Sequence, residues 1–307
     1  MIGWRLVNVL AMLVMPFLLV GIVNRVKSLW SGRRGAPIFQ LLFDVLRLMR
    51  KRPVYSDTTT ALFRIAPWVF LVTCVGSAAI APLIGGRPVA SFSFDFVWFA
   101  YVWGLGRVAL MLAALDTGSS FEGMGAAREA LFSAILEPAL FLVAGSLTAF
   151  SDTHTLYQAV MLHQSSVGYA TAWLASVFVL FIVIQVETGR MPIDDPTTHL
   201  ELTMVHEVMI LDHSGPDLAA VQTGSAIKLF VGTSILACLM NPFSGQGNLL
   251  CAVVNLGLSV VLAILIGTVE SVIARLKLRA VPQYIAVGLA SATVALLSTL
   301  LRTGTTP

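Results

Sequence analysis

Apolar residues arrive in eight long blocks: Leu6–Val23, Ile65–Gly85, Phe96–Leu115, Leu131–Phe150, Gly168–Val186, Ala226–Met240, Leu249–Val269 and Tyr284–Leu301. Crossing a hydrocarbon core about 30 Å thick takes roughly 20 apolar residues in a helix. Each block should be helical, because inside lipid the backbone amides must be satisfied within the segment. The pattern predicts an all-α, polytopic membrane protein of about eight transmembrane helices, folded as a single integral membrane domain over residues 1–307. Leu6–Val23 is too long for the apolar part of a secretory leader, and no small-residue cleavage site follows it, so it is expected to stay as the first span.

A different period appears between the first two blocks. In "IFQLLFDVLRLMRKR", Ile38, Leu41, Leu42, Val45 and Leu48 recur at i, i+3, i+4 and i+7. Gln40, Asp44, Arg47, Arg50 and Lys51 fall on the other side. The stretch is amphipathic and too short to span, which predicts a helix lying at the membrane interface. Its basic end suits anionic headgroups. It is either a surface anchor or the wall of a binding chamber.

Lysine and arginine orient the spans. The loop from Asn24 to Arg64 carries nine: Arg25, Lys27, Arg33, Arg34, Arg47, Arg50, Lys51, Arg52 and Arg64. The loop after the seventh block adds Arg275, Lys277 and Arg279, while Ser151–Val167 and Asn241–Asn248 have none. The odd-numbered loops are therefore expected in the cytoplasm and both termini outside. The cytoplasmic loops fall at about 24–64, 116–130, 187–225 and 270–283.

Composition agrees. Of 307 residues, 57% are hydrophobic and only 11% charged, against about 25% charged in soluble domains. Cys74, Cys238 and Cys251 lie in apolar runs without C-x-x-C spacing, and are expected as buried, inert thiols.

Charge is scarce, so its placement matters. Of 16 acidic residues, seven crowd between Glu187 and Asp217. Arg107, Arg128, Glu137, Glu187, Lys228 and Glu270 lie within or at the edges of blocks. Such groups are costly in lipid and usually face protein or water. They make either a proton path or static pairs locking helices together. In "ETGRMPIDDP", Pro192 and Pro196 stop a continuing helix. Asp195 and Pro196 suit the N-cap and first position of a new one. On that helix Leu200, Met204, Val208 and Leu211 would share one face, and His199, His206 and His213 another. Histidines seven apart are about 10 Å apart along the axis, and His206–Glu207 is not followed by a second histidine at 210. The stripe reads as a docking face; no metal site is expected. The glycines of "DTGSSFEGMGAARE" (Asp116–Glu129) fit no phosphate-binding template, and are expected to form a tight turn between spans three and four.

Several strings in order resemble a known family: "RRGAPIFQLLFDVLRL" (Arg33–Leu48), "LDTGSSFEGMGAAREALFSAILEP" (Leu115–Pro138), "ETGRMPIDDP" (Glu187–Pro196), "LDHSG" (Leu211–Gly215) and "ESVIARLKLR" (Glu270–Arg279). They resemble the heel subunit of complex I (NADH:quinone oxidoreductase), the NADH dehydrogenase subunit 1 family. The likeness is greater to its relative in formate hydrogenlyase and other energy-converting group 4 [NiFe] hydrogenases. It covers about residues 5–301. Arg34, Gly35 and Gln40 meet the pattern before the interfacial helix, with Ala36 where proline is usual. Arg128 and Glu137 match the family's pair nine residues apart. Glu187, Arg190, Pro192 and Asp194 meet its loop motif, with Glu201 following. Asp212, His213, Ser214 and Gly215 stand for its E-Y-S-G, and Glu270 for its late glutamate. Thr197 and His199 replace carboxylates of the complex I relatives.

The resemblance implies a membrane anchor and coupling subunit with no cofactor of its own. Iron–sulfur clusters and a [NiFe] site belong to partner subunits. The partners are a hydrogenase large subunit and small iron–sulfur subunits on the cytoplasmic side, antiporter-like membrane subunits, and lipid; no nucleic acid is expected. The implied place is the cytoplasmic (inner) membrane of a prokaryote. Coupling would run through Arg107, Asp116, Arg128, Glu137, Glu187, Arg190, Asp194, Asp195, Glu201, Asp212 and Glu270. Docking would involve Arg33, Arg34, Gln40, Asp44, Arg47, His199 and His206. The alternative is a quinone-chamber subunit of a complex I-like NADH or other dehydrogenase. A stand-alone transporter is a third reading, weakened by the lack of an internal repeat.

Overall fold

A computed structural model describes residues 2–151, 153–162, 170–194, 204–243, 249–273 and 276–303. Eight helices among them are long and apolar enough to cross a membrane. They are α1 (Ile2–Trp30), α3 (Ala61–Ile80), α4 (Asp95–Asp116), α5 (Ser120–Ser151), α7 (Ala170–Glu187), α9 (Gly215–Met240), α10 (Leu249–Val272) and α11 (Val281–Thr303). Three short helices intervene: α2 (Gln40–Met49), α6 (Leu156–Leu162) and α8 (His206–Met209). The fold is all-helical and multi-pass.

The core is organised on α9. Of its most apolar stretch 83% is buried, against 28–56% for the other seven. Its sequence is rich in Ala, Gly, Ser and Thr, which let neighbouring helices approach closely in lipid. It packs on α1, α3, α7 and α10, while α11 closes the far side against α5 and α7. Leucines and valines of α1 and α10 point outward, among them Leu6, Leu10, Val253 and Val261. In lipid that exposure carries no hydrophobic penalty.

α9 begins at Gly215, eleven residues before the expected Ala226. Pro216, Asp217 and Gln222 dilute the apolar signal there, although Asp217 is buried. Lys228 therefore sits in mid-helix and not at a span's start. α5 likewise begins at Ser120, so the expected Gly-rich turn shrinks to Thr117–Ser119. Gly123 and Gly125 are helical.

The helix expected from Pro196 onward is also corrected where it is described. Helix occupies only His206–Met209, and turns follow. Leu211 and His213 lie beyond it, so Met204, Val208 and Leu211 do not share one helical face with each other, nor do His206 and His213. The Asp194 carboxylate sets the start of α8 by accepting from the amides of Val205 (3.1 Å) and His206 (2.8 Å).

After Trp30 the chain doubles back along α1. A Cβ on Gly35 would lie 2.2 Å from Ser28 Oγ, and one on Gly21 only 1.8 Å from the Ile38 carbonyl oxygen. Glycine at 21 is therefore required for this close approach. The return places α2 against α9 and α1. Leu41 packs on the main core, yet no residue of α2 is fully buried.

On the opposite face of the bundle, residues 81–86 leave helical geometry but remain buried. Three of their carbonyls accept from neighbouring side chains, as buried non-helical backbone demands. Ser234 and Asn255 donate to Leu83, Cys238 to Pro82 and Cys251 to Gly85. All three cysteines are buried and free. Nearby, Asp95 accepts from the Leu156 amide at 2.6 Å and anchors α6, a helix in what the sequence presents as a plain loop.

Candidate functional site

Arg107, buried in α4, is the hub of a charge cluster. It bonds Glu187 at the end of α7 and Glu137 of α5, the latter at 2.5 Å. Glu129, just over two turns nearer the start of α5, lies 3.8 Å from Arg107 Nε. The other oxygen of Glu187 accepts from Lys228 Nζ of α9 at 2.9 Å. Four spans thus contribute to one knot of charge. A buried ion left unpaired costs several kcal/mol, so each member depends on the others.

α8 extends the cluster toward the loop. His206 Nε2 lies 3.4 Å from Glu129 Oε2, and Nδ1 lies 3.6 Å from Asp194 Oδ2. Burial disfavours the imidazolium, but Glu129 and Asp194 prevail and push the ring up to about 9. Burial also disfavours the Asp194 carboxylate. His206 and the amides of His206 and Val205 outweigh it and hold the group below the usual range. Taking each group in its ordinary ionised form, with His206 protonated, Arg107, Lys228 and His206 meet Glu129, Glu137, Glu187 and Asp194.

Two cavities meet this cluster. The first, about 340 Å³, is lined by Arg107, Glu129, Glu187, Arg190, His206 and Lys228, with Val20, Leu41, Phe70 and Leu110 on its apolar side. The second, about 410 Å³, lies between α4 and α5 among Tyr101, Trp103, Leu140 and Phe141. Arg107 and Glu187 line both. Glu137 faces the second and is half exposed, beside the outward-pointing Tyr101 and Leu105.

A smaller ionic group borders the first cavity. Glu270 of α10 takes Lys27 of α1 at 2.9 Å and Arg190 at 3.4 Å.

The expected coupling residues divide accordingly. Arg107, Glu137, Glu187 and Asp194 come together through the cluster, and Arg190 and Glu270 form the second group. Asp116 does not join: its carboxylate receives the Thr60 amide at 2.7 Å and the Thr60 hydroxyl, fixing the start of α3. Arg128 donates to the Met204 carbonyl at 2.8 Å. Asp212 has an exposed side chain, and its amide donates to the buried Glu122 at 3.1 Å. Asp195, Glu201 and His199 lie outside the described residues. Of the docking set, Arg33, Arg34 and Arg47 are exposed, Gln40 bonds Asp44 within α2, and His206 belongs instead to the cluster.

The string "LDHSG" is a clamp between α9 and the first loop. Ser214 Oγ accepts from the Val54 amide at 2.9 Å. Gly215, at φ +56°, lies where a Cβ would press on the Arg52 backbone at 3.1 Å. Asp217 accepts from Tyr55 at 2.8 Å and from Trp68 at 3.1 Å. His213 stacks on Phe63 with ring centroids 4.0 Å apart, and burial lowers its pKa to about 4.

Sequence reasoning missed Glu129 and did not assign Lys228 to the site. Helical spacing could have found the first. At 100° per residue, positions 128 and 137 point to opposite sides of α5, whereas 129 lies within about 80° of 137.

Comparison with known proteins agrees with this architecture. Formate hydrogenlyase subunit 4 of Escherichia coli (strain K12) is 28% identical over 97% of this chain and 98% of its own length. Hydrogenase-4 component C of the same organism is 29% identical over 88% and 85%. A chain of the membrane-bound sulfane sulfur reductase, an archaeal respiratory membrane complex, shares the fold with TM-score 0.81 at 20% identity, covering 96% of this chain and 97% of that one. Residues 4–301 match the NADH dehydrogenase family, and the chain belongs to that family.

Proposed function

We propose that this protein is the membrane anchor and coupling subunit of a complex I-like membrane-bound [NiFe] hydrogenase of the formate hydrogenlyase type. It docks a soluble redox arm and relays redox-linked change to ion translocation. The supporting observation is that Arg107 and Glu187 line both the cavity beside the α7–α8 loop and the lateral cavity at Glu137. Charge arriving near His206 is felt at Arg107 through Glu129, and from there at Glu137 on the flank of the bundle. The iron–sulfur and [NiFe] centres are assigned to partner subunits, and antiporter-like subunits to the flank. The protein lies in the cytoplasmic membrane of a prokaryote with both termini outside, which puts the α7–α8 loop on the side of the arm.

Affinity capture of the full-length protein tests the assembly. A co-purifying large subunit carrying two C-x-x-C motifs supports the reading; a large subunit lacking them overturns the hydrogenase assignment. Glu187→Gln and Asp194→Asn should assemble normally but lose coupled activity. Unchanged hydrogen evolution and ion pumping in both would refute the coupling role.

A quinone-chamber role is favoured by one feature, the apolar wall of Val20, Leu41, Phe70 and Leu110 beside the charged one. Quinone-dependent reductase activity sensitive to Phe70→Ala would establish it.

A further inference from the structure

The depth of α2 can be read from its contact with α1. From Arg5 to Gly21 is sixteen residues, about 24 Å of helix. With Arg5 at one boundary of a core about 30 Å thick, Ile38, seated on Gly21, lies about 6 Å short of the other. Interfacial amphipathic helices settle about 5–10 Å into that boundary. α1 runs on past Gly21 for nine residues, about 13 Å, so Arg33 and Arg34 stand well above α2.

α2 presents three distinct sides at this depth. Leu41, Val45 and Leu48 are half-buried toward the bundle. Phe39, Phe43 and Leu46 form an exposed stripe, with Phe43 at 52% and Leu46 at 51%. At 100° per residue Arg50 continues that stripe, and Arg47 and Lys51 lie beside it. All three basic side chains are exposed. Between residues 24 and 64 nine basic residues face only two acidic ones, Asp44 and Asp57. Asp44 is already engaged by Gln40.

We propose that the outer side of α2 is a seat for anionic phospholipids. The Phe39–Phe43–Leu46 stripe meets the upper acyl chains, and Arg47, Arg50 and Lys51 hold the headgroup phosphates. A lipid fits better than an acidic protein partner because the apolar stripe lies at membrane depth, below the projecting end of α1. Basic groups near an anionic surface each add to the attraction, and the exposed aromatic and aliphatic stripe fixes the helix in the plane. This site is independent of the coupling role.

Native mass spectrometry of the full-length protein from nanodiscs of equal phosphatidylcholine and phosphatidylglycerol tests it. The wild type should retain phosphatidylglycerol on the order of tenfold over phosphatidylcholine. Arg47→Gln/Arg50→Gln/Lys51→Gln should lose that preference. Arg47→Lys/Arg50→Lys, which keeps the charge, should retain it, as should Arg87→Gln on the opposite face. Millimolar inorganic phosphate should not displace the lipid; displacement would show a plain anion site and overturn the lipid assignment. An unchanged preference in the triple variant would overturn it too, as would loss of co-purifying soluble subunits with lipid preference intact. A charge-retaining variant that loses preference would point to misfolding of α2 and count against the site.

Discussion

Lys228 Nζ lies 2.9 Å from the Glu187 oxygen that Arg107 does not engage. One carboxylate from α7 thus fastens α4 to α9. Breaking a buried pair commonly costs about 3–5 kcal/mol. Lys228→Met should cost about 3 kcal/mol, because Glu187 keeps Arg107. The double variant Glu187→Gln/Lys228→Met should cost less than the sum of the two singles by at least about 1 kcal/mol. Thermal unfolding of the detergent-purified protein measures both; strict additivity would show that the pair is not coupled.

His206 makes stability pH-dependent on the alkaline side. Its folded pKa of about 9 lies above the ordinary 6.5, so its contribution is complete below about pH 6.5 and fades as pH rises through about 9. The loss amounts to about 3 kcal/mol. His206→Gln should flatten the profile between pH 6.5 and 9 in unfolding midpoints; a profile as steep as the wild type's would count against the Glu129–His206–Asp194 chain.

His213 acts in the opposite direction. Buried against Phe63, it has a folded pKa of about 4. Between about pH 6.5 and 4 the unfolded chain takes up a proton that the folded one refuses, so stability falls with falling pH. Asp194, held below its usual value, adds to the acid loss at lower pH. His213→Phe keeps the stack and removes the titration, and should be less acid-sensitive than the wild type above pH 4. Equal sensitivity would place the proton elsewhere.

Gly21→Ala places a methyl where only 1.8 Å separates it from the Ile38 oxygen. α2 must shift or detach, at about 1–3 kcal/mol for an overpacked contact. Limited proteolysis within 33–38 should accelerate, and cleavage at the wild-type rate would argue against the packing of the return segment on α1.

Glu137→Gln tests the flank. Its carboxylate is half exposed, so the effect on unfolding should be within about 1 kcal/mol. Ion translocation by the assembled complex should fall at least tenfold if the lateral cavity carries the coupling. Translocation at the wild-type level would remove Glu137 from the path.

Much of this was legible in the sequence, for definite reasons. Eight apolar blocks give eight helices because lipid leaves the backbone few alternatives. Glu187, Asp194 and Arg107 stood out because charge is rare in such a chain. What was hidden depended on tertiary packing. The start of α9 was masked because Asp217 is buried by bonds to Tyr55 and Trp68, residues about 150 positions away in sequence. Asp116 stands out in the sequence only as a charge at the edge of a span; its bond to the Thr60 amide at the start of α3 comes from tertiary packing. His206 and His213 share a spacing of seven, yet the chain turns between them. One is held charged by Glu129 and Asp194, and the other is kept neutral on Phe63.

The clamp at Asp217 has a mechanical consequence. Val54, Tyr55 and Trp68 are fastened to the first residues of α9, the most enclosed rod in the bundle. Lys228 lies eleven residues farther along the same rod, about 16 Å away. The first loop and the Glu187 carboxylate are therefore fastened to one continuous helix, so a displacement of α9 would move both attachments together.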